Sequence, residues 1–378
     1  MITVPLIKPD LPTLDEVRAP FEEILSNGRI TNFGKYVTQF ESEAGAYLGA
    51  SSVAVSSGTA GLIFAISGLG LAPREKVILP SFTFMATAQA VLYAGGQPLF
   101  AEVEDDLNIS PSDLEQLLDR HPDVGAVIGV HVYGLPARAP ELEAIVAAAA
   151  RKRGKPVHLI FDAAHAFGAS VDGRRVGSFG DAEVFSLSVT KVLVTVEGGL
   201  ISTTHPDLVE RLRCMRNYGI QAKYNARFPG LNGKMSEFHA IVGLHNLRRL
   251  HQLMEARQQR GHAYAAKVHA QTPFRLTAWP SGVVHSLKDF TVLVPPQAGA
   301  CRDQIIEFLA GRGVESRAYF SPPVHEQDFF RKYADRPLPR TEDLARRVIT
   351  LPFFTTITEV EMDYVVEQLA EAGRRFIP

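Results

Sequence analysis

Val53-Ala-Val-Ser-Ser-Gly-Thr-Ala-Gly61 is a β-prone run that meets a Ser/Gly/Thr turn and opens a helical stretch carrying Leu62, Phe64, Ile66 and Leu69. A strand that ends this way leaves backbone N–H groups unpaired at the helix start, where the helix dipole is positive. Such a turn suits an anion. It is not a Walker loop, because no Gly-Lys-Ser/Thr follows. Taken alone it also fits a plain capped helix start.

The alternation continues outward from this turn. Strands are expected at 76–79, 98–103, 124–131 and 157–161, and helices at 83–93, 110–118 and 140–150. Ser110-Pro-Ser-Asp113 marks one helix start, with proline at the first helical position. The pattern predicts an α/β protein with a mainly parallel sheet sandwiched by helices. In such sheets ligands bind at the carboxyl ends of the strands. Ser57, Asp162 and residues 186–191 all fall there.

Phe185-Ser-Leu-Ser-Val-Thr-Lys191, followed by Val-Leu-Val-Thr-Val-Glu-Gly198-Gly199, reads as a strand that turns polar and ends on a lysine. Val189, Val192, Leu193 and Val194 surround Lys191 in sequence. Desolvation there disfavours the ammonium and yields the neutral amine that Schiff-base chemistry needs. The competing reading is a surface lysine at a strand end.

Composition narrows the classes. The chain has 378 residues, 46% hydrophobic and 21% charged, with 39 basic against 41 acidic residues and a net charge of −2. Neither sign dominates, which argues against nucleic-acid or membrane-surface roles. Cys214 and Cys301 lie far apart, so neither a disulfide framework nor a zinc site is expected. The three histidines His239, His245 and His251 recur every six residues, on different helix faces, and no metal is expected. Without a signal peptide or a long apolar run, a cytoplasmic protein is expected.

The remaining segments frame the sheet. Residues 1–50 read as a lead-in arm, with helices from Thr13 to Asn27 and from Phe40 to Leu48 and a loop at Ile30-Thr-Asn-Phe-Gly34. A helix follows at 206–216, then a polar loop through Gly230. Residues 234–268 are expected to form one continuous helix connecting two domains. The rest, with a strand at 290–294 and helices at 302–312 and 359–372, reads as a smaller α/β domain. The expected division is 1–250, the arm and large domain, and 251–378, the small domain.

An anion-binding turn, a buried carboxylate at Asp162 and a buried amine at Lys191, all at one sheet edge, fit pyridoxal phosphate (PLP). That cofactor needs a phosphate cradle, an acid opposite its ring nitrogen and a lysine for its aldehyde. Six ordered motifs then resemble one family across nearly the whole chain. They are Ser56-Ser-Gly-Thr-Ala-Gly61, Pro80-Ser-Phe-Thr-Phe-Met-Ala-Thr87, Phe161-Asp-Ala-Ala-His-Ala-Phe-Gly168, Phe185-Ser-Leu-Ser-Val-Thr-Lys191, Gly230-Leu-Asn-Gly-Lys-Met-Ser-Glu237 and Ser316-Arg-Ala-Tyr-Phe-Ser-Pro322. The chain resembles the DegT/DnrJ/EryC1/StrS nucleotide-sugar aminotransferases, of the aspartate aminotransferase fold (PLP fold type I, with a seven-stranded type of sheet).

The resemblance implies roles for particular residues. Lys191 would bond the cofactor aldehyde and shuttle a proton; Asp162 would pair with the ring nitrogen. Phe84 would stack on the ring, although its place on an amphipathic helix also fits core packing. His165 would lie near the phenolic oxygen. Gly58, Thr59 and Ser186 would hold the phosphate, and Asn232 would reach the phosphate of a neighbouring subunit in a two-fold dimer. His325, Tyr319 and Thr31 are carried across as substrate contacts. The family's usual Thr-Thr-Gly-Glu-Gly-Gly after the lysine is here Val194-Thr-Val-Glu-Gly-Gly199, so Val196 replaces a glycine. Lys191 itself argues against the family's dehydratase branch, which has histidine there.

The resemblance thus implies transfer of an amino group from L-glutamate to a nucleotide-linked 4-keto-6-deoxyhexose, the Asp-x-x-His pattern favouring C4. The alternatives are a 3-keto sugar or cyclitol aminotransferase, another PLP enzyme of this fold, and a silent sugar-nucleotide-binding regulator.

Overall fold

Period-two alternation sorts the strand side chains onto two faces. The computed structural model describes residues 2–377 apart from Ala278. In it, β1 (Ser51–Val55), β2 (Lys76–Pro80), β3 (Gln97–Ala101), β4 (Val124–Val130), β5 (His158–Asp162), β6 (Ala182–Ser186) and β7 (Gly199–Thr203) form one seven-stranded sheet. Its order is β1-β7-β6-β5-β4-β2-β3. Neighbours pair in parallel except at β7, which runs antiparallel to both β1 and β6.

Val53, Val55, Val77, Leu79, Ile128, Ile160, Val184 and Ile201 share one buried layer. Helices α3 (Gly58–Gly68), α4 (Met85–Tyr93) and α7 (Pro206–Met215) cover it through Leu62, Ala88, Val91 and Leu212. Ala54, Ile78, Val127, Leu159, Phe161 and Phe185 form the opposite layer. That side is closed by α1 (Leu14–Asn27), α2 (Lys35–Leu48), α5 (Pro111–Arg120), α6 (Ala139–Arg153) and α8 (Glu237–Arg248). Burying each large side chain contributes about 2 kcal/mol. The two-sided covering is why β4 is buried along its whole length and reads as a continuous apolar run.

A third apolar cluster joins α9 (Leu250–Gln271), β8 (Phe290–Leu293), β9 (Val348–Leu351) and α12 (Glu359–Phe376) through Tyr264, Phe290, Ile349 and Leu369. The α10 (Arg302–Gly311) helix packs on β9 and α12, and α11 (Pro339–Arg347) runs directly into β9. Val4 belongs to this cluster and bridges in parallel to Val314, and Phe353 N–H donates to Leu6 O at 3.1 Å.

Three expectations need correction. The helix expected over 234–268 is two helices: Ser236 caps α8, and the path breaks at Arg249 (φ −97°, ψ −1°). The break lets α8 lie on the large sheet while Tyr264 and Val268 of α9 reach the small core. The second lead-in helix starts at Lys35 rather than Phe40, because the Glu237 carboxylate accepts from Gly34 N–H at 2.9 Å and Tyr36 N–H at 2.7 Å. The polar loop before Gly230 contains a small hairpin, Ile220–Ala222 against Asn225–Ala226.

Candidate active site

The turn after β1 is built to approach the end of β6. Ser57 caps α3, its Oγ accepting from Ala60 N–H at 3.1 Å. The N–H groups of Gly58 and Thr59, in the first helical turn, have no helical carbonyl to meet. A Cβ on Gly58 would come within 2.9 Å of Ser186 Cβ, and one on Gly199 within 2.5 Å of the Ser57 carbonyl. Both glycines are therefore required by close backbone approach.

Beyond Ser186 the chain loops back on itself. Leu187 N–H donates to Gly198 O at 2.9 Å and Thr195 N–H to Leu187 O at 2.8 Å. Leu193 and Val194 anchor this loop in the core, each fully buried. Lys191 thereby enters a cavity of about 380 Å³ that it shares with Gly58, Thr59, Asp162, His165 and Ser186. Burial first, then the nearby Lys288 ammonium, lowers the Lys191 pKa to about 7. Within this loop Val196 holds φ +74°. For a β-branched residue that is a strained conformation.

Asp162 ends β5 and is almost wholly buried. Thr87 Oγ–H donates to its Oδ2 at 2.7 Å and Ala164 N–H to its Oδ1 at 3.1 Å. Burial raises its pKa, while those two donors favour the carboxylate. His165 is held mainly neutral: burial, then the charges of Lys191 and Lys288, push its pKa well down.

Phe84 lines the cavity and is 52% exposed, so the alternative of core packing does not hold. Phe320 stands across from it, its ring centroid 6.2 Å from Phe84 and 6.1 Å from His165. Tyr319 also lines the cavity.

Three of the named residues do not line this cavity. His325 is 5% exposed and committed elsewhere: Nδ1 lies 2.6 Å from Ser81 Oγ and Nε2 3.3 Å from Glu342 Oε1. His325, Glu326 and Glu342 do bring ligand-type atoms within 4.8 Å of one another. Glu342 Oε1 also accepts from Leu338 N–H at 3.0 Å, so His325 and Glu342 already have protein partners. Thr31 is exposed in the loop before α2. Asn232 is exposed too, bridged through its backbone to Asn217.

Other cavity residues escaped the sequence reading. Lys288, Phe320 and Ile7 line the cavity, and Thr87 and Asp289 support it from behind. Thr87 sits inside a motif already singled out. Lys288-Asp289 left one signal, adjacent opposite charges abutting a wholly buried strand.

The donor set suits the expected cofactor. Asp162 is a buried carboxylate with only neutral donors, which a ring N–H⁺ would complement. Gly58 and Thr59 N–H groups with the Ser186 hydroxyl form a cradle for a phosphate. Lys191 offers an amine of lowered basicity beside them.

Comparison with known proteins agrees with this geometry. Residues 14–370 match the model of the DegT/DnrJ/EryC1/StrS aminotransferase family. A UDP-N-acetyl-3-dehydro-alpha-D-glucosamine 3-aminotransferase of Acidithiobacillus ferrooxidans is 33% identical, over 93% of this chain and 92% of that protein. A dTDP-4-amino-4,6-dideoxy-D-glucose transaminase of Shigella dysenteriae is 29% identical, over 96% and 97%. The crystal structure of DesI in the presence of its TDP-sugar product superposes with TM-score 0.90 at 32% identity, covering 99% of this chain and 93% of that one. The chain belongs to the DegT/DnrJ/EryC1/StrS aminotransferase family and is a transaminase.

Proposed function

We propose that the protein uses PLP to move an amino group from L-glutamate to a nucleotide-linked 4-keto-6-deoxyhexose, acting in the cytoplasm as a homodimer. The observation that carries the reading is the meeting of Lys191, Asp162 and the Gly58–Thr59–Ser186 cradle in one cavity. When bound, PLP supplies an electron sink that acidifies the carbon bearing the transferred nitrogen.

The chain's own groups do the rest. Asp162 would hold a proton on the ring nitrogen, as a buried carboxylate whose hydrogen-bond donors are neutral. Lys191, with a pKa near 7, can take a proton from that carbon and return one on the acceptor side. The cradle would hold the phosphate, and Phe84 with Phe320 narrows the cavity against water. The exposed Asn232 and the adjoining exposed Tyr218 and Leu231 fit a subunit contact through which Asn232 serves a partner's phosphate.

The Asp162-Ala-Ala-His165 pattern supports amination at C4, as in the name of the Shigella relative. The Acidithiobacillus relative favours a second reading, a 3-keto acceptor. The test is direct. Purified protein should absorb as a PLP enzyme, lose that absorbance on adding L-glutamate, and regain it with the right acceptor. Products from 4-keto-6-deoxy and 3-keto sugars linked to UDP, dTDP and GDP would decide the position. No spectral response to any amino donor would overturn the reading.

A further inference from the structure

Two lysines line the cavity, and the reaction described above uses one of them. The other, Lys288, comes from the segment just before β8. Its side chain is 4% exposed, and its Nζ donates to Asp289 Oδ1 at 2.7 Å. An ammonium carries three donors. Among the described residues, no other hydrogen-bond acceptor takes a proton from Lys288. Its Nζ lies 5.8 Å from the centre of the Tyr319 ring, on the same cavity wall.

The placement is built rather than incidental. The Arg257 guanidinium donates to the carbonyls of Ser286 at 3.3 Å and Lys288 at 3.5 Å, and also to that of Leu287. Ser286 Oγ–H donates to His165 O at 2.5 Å, and Ser286 N–H to Gly134 O at 3.0 Å. Residues 286–288 are thus clamped between α9 and the loops that carry His131 to Gly134 and His165. A lysine serving only as a counter-ion to Asp289 would be expected to close its remaining donors on protein oxygens, because a buried ammonium with unmet donors is costly. Here they are left beside the cavity.

An amino acid donor brings a demand that the other lining groups do not meet. Its amine must reach the Lys191 end of the cavity, and a carboxylate sits one carbon away. Asp162 and Glu197 repel that anion. His165 is held neutral by its surroundings. Among the described lining residues, Lys288 is the cation left to receive it.

We propose that Lys288 is the carboxylate anchor of the amino donor, held in place by Asp289 and by the clamp on its backbone. The proposal rests on the aminotransferase reading with an amino acid donor. It deepens that reading by assigning the donor's anion a partner.

The experiment uses the holoenzyme. Glutarate, a dicarboxylate without an amine, is titrated by calorimetry, and UDP and dTDP are titrated separately. In K288M the glutarate dissociation constant should rise about tenfold or more, the loss of one charge-assisted hydrogen bond. UDP and dTDP affinities should stay within about twofold, and the KM for L-glutamate should rise more than kcat falls. K288R, which keeps the charge, should recover most of the glutarate affinity. Unchanged glutarate binding in folded K288M overturns the anchor, as does a loss confined to UDP or dTDP, which would assign the cation to a diphosphate. If K288M does not fold, K288R and K288Q are compared; equal glutarate affinities then overturn it. Wild-type protein that neither binds glutarate nor reacts with L-glutamate would overturn the donor reading itself, a failure distinct from the preceding ones.

Discussion

The cavity has two unlike walls. One is the carboxyl edge of the large sheet: the turn at Ser57–Thr59, Asp162, and the Ser186–Lys191 loop. The other is brought in from segments outside the large sheet: Lys288, Tyr319 and Phe320. The first wall is held by contacts between adjacent strands, such as Val130 opposite Asp162 and Ser186 opposite Gly199. The second depends on long-range side-chain clamps, above all Arg257 on the carbonyls of 286–288. A wall made of sheet edges is as rigid as the sheet. A wall hung on such clamps can be altered without disturbing the sheet.

That contrast can be broken most severely at Lys191. K191A should lower turnover roughly 10⁴-fold or more without lowering the thermal midpoint, because truncating a buried ammonium removes a burial cost along with the amine. Steady-state rates beside a thermal melt check this; near-normal turnover would remove Lys191 from the chemistry.

On the other wall the expected effect is structural. R257M leaves buried carbonyls of 286–288 without their donor and should destabilise the protein by about 3 kcal/mol. Urea unfolding measures the loss. The same variant should weaken glutamate binding, while the PLP absorbance of the folded fraction stays normal. Equal damage to cofactor and donor binding would mean that the walls are not separable.

The walls also speak to each other through charge. In the cofactor-free protein Lys191 has a pKa of about 7 against an ordinary 10.5, so between those values the unfolded chain binds a proton that the folded one does not. Stability therefore rises with pH across that window. The cost of burying the ammonium is fully present below about pH 7. Denaturation midpoints should climb above neutrality in the wild type and flatten in K191M. Removing the repelling charge with K288M should move the inflection of PLP capture by the apoprotein to higher pH. An unmoved inflection would show that burial alone sets the Lys191 amine.

The smallest effect lies at the rim. Val196 carries φ +74° and is 44% exposed, so it has strain without much packing to offset it. V196G should stabilise the fold by about 1 kcal/mol in equilibrium unfolding. A loss of stability would mean that its side chain has a partner outside this single chain.

These differences explain what could be read from the sequence. Strands and turns of the first wall declare themselves locally: alternating valines, a Ser-Gly-Thr turn, an aspartate closing an apolar run. The early start of α2 could not be read, because its capping carboxylate is Glu237, 201 residues from Tyr36. Nor could β7 be separated from the lysine loop, since Gly199 belongs to the loop motif and opens the strand. His325 carried a familiar neighbourhood of prolines, yet Ser81 and Glu342 had already claimed both ring nitrogens. The charge pair Lys288-Asp289 carries no local mark of its role, and only tertiary folding buries it.

The parallel bridge of Val4 to Val314 sets an order of assembly. Leu6 N–H finds its acceptor, the Glu315 carboxylate, 309 residues further along. During synthesis the large sheet can close while this leading segment dangles, its edge capped only once the distal core has emerged. Ile7 faces the cavity just past that bridge, so the cavity is completed only after Val314 and Glu315 have been made.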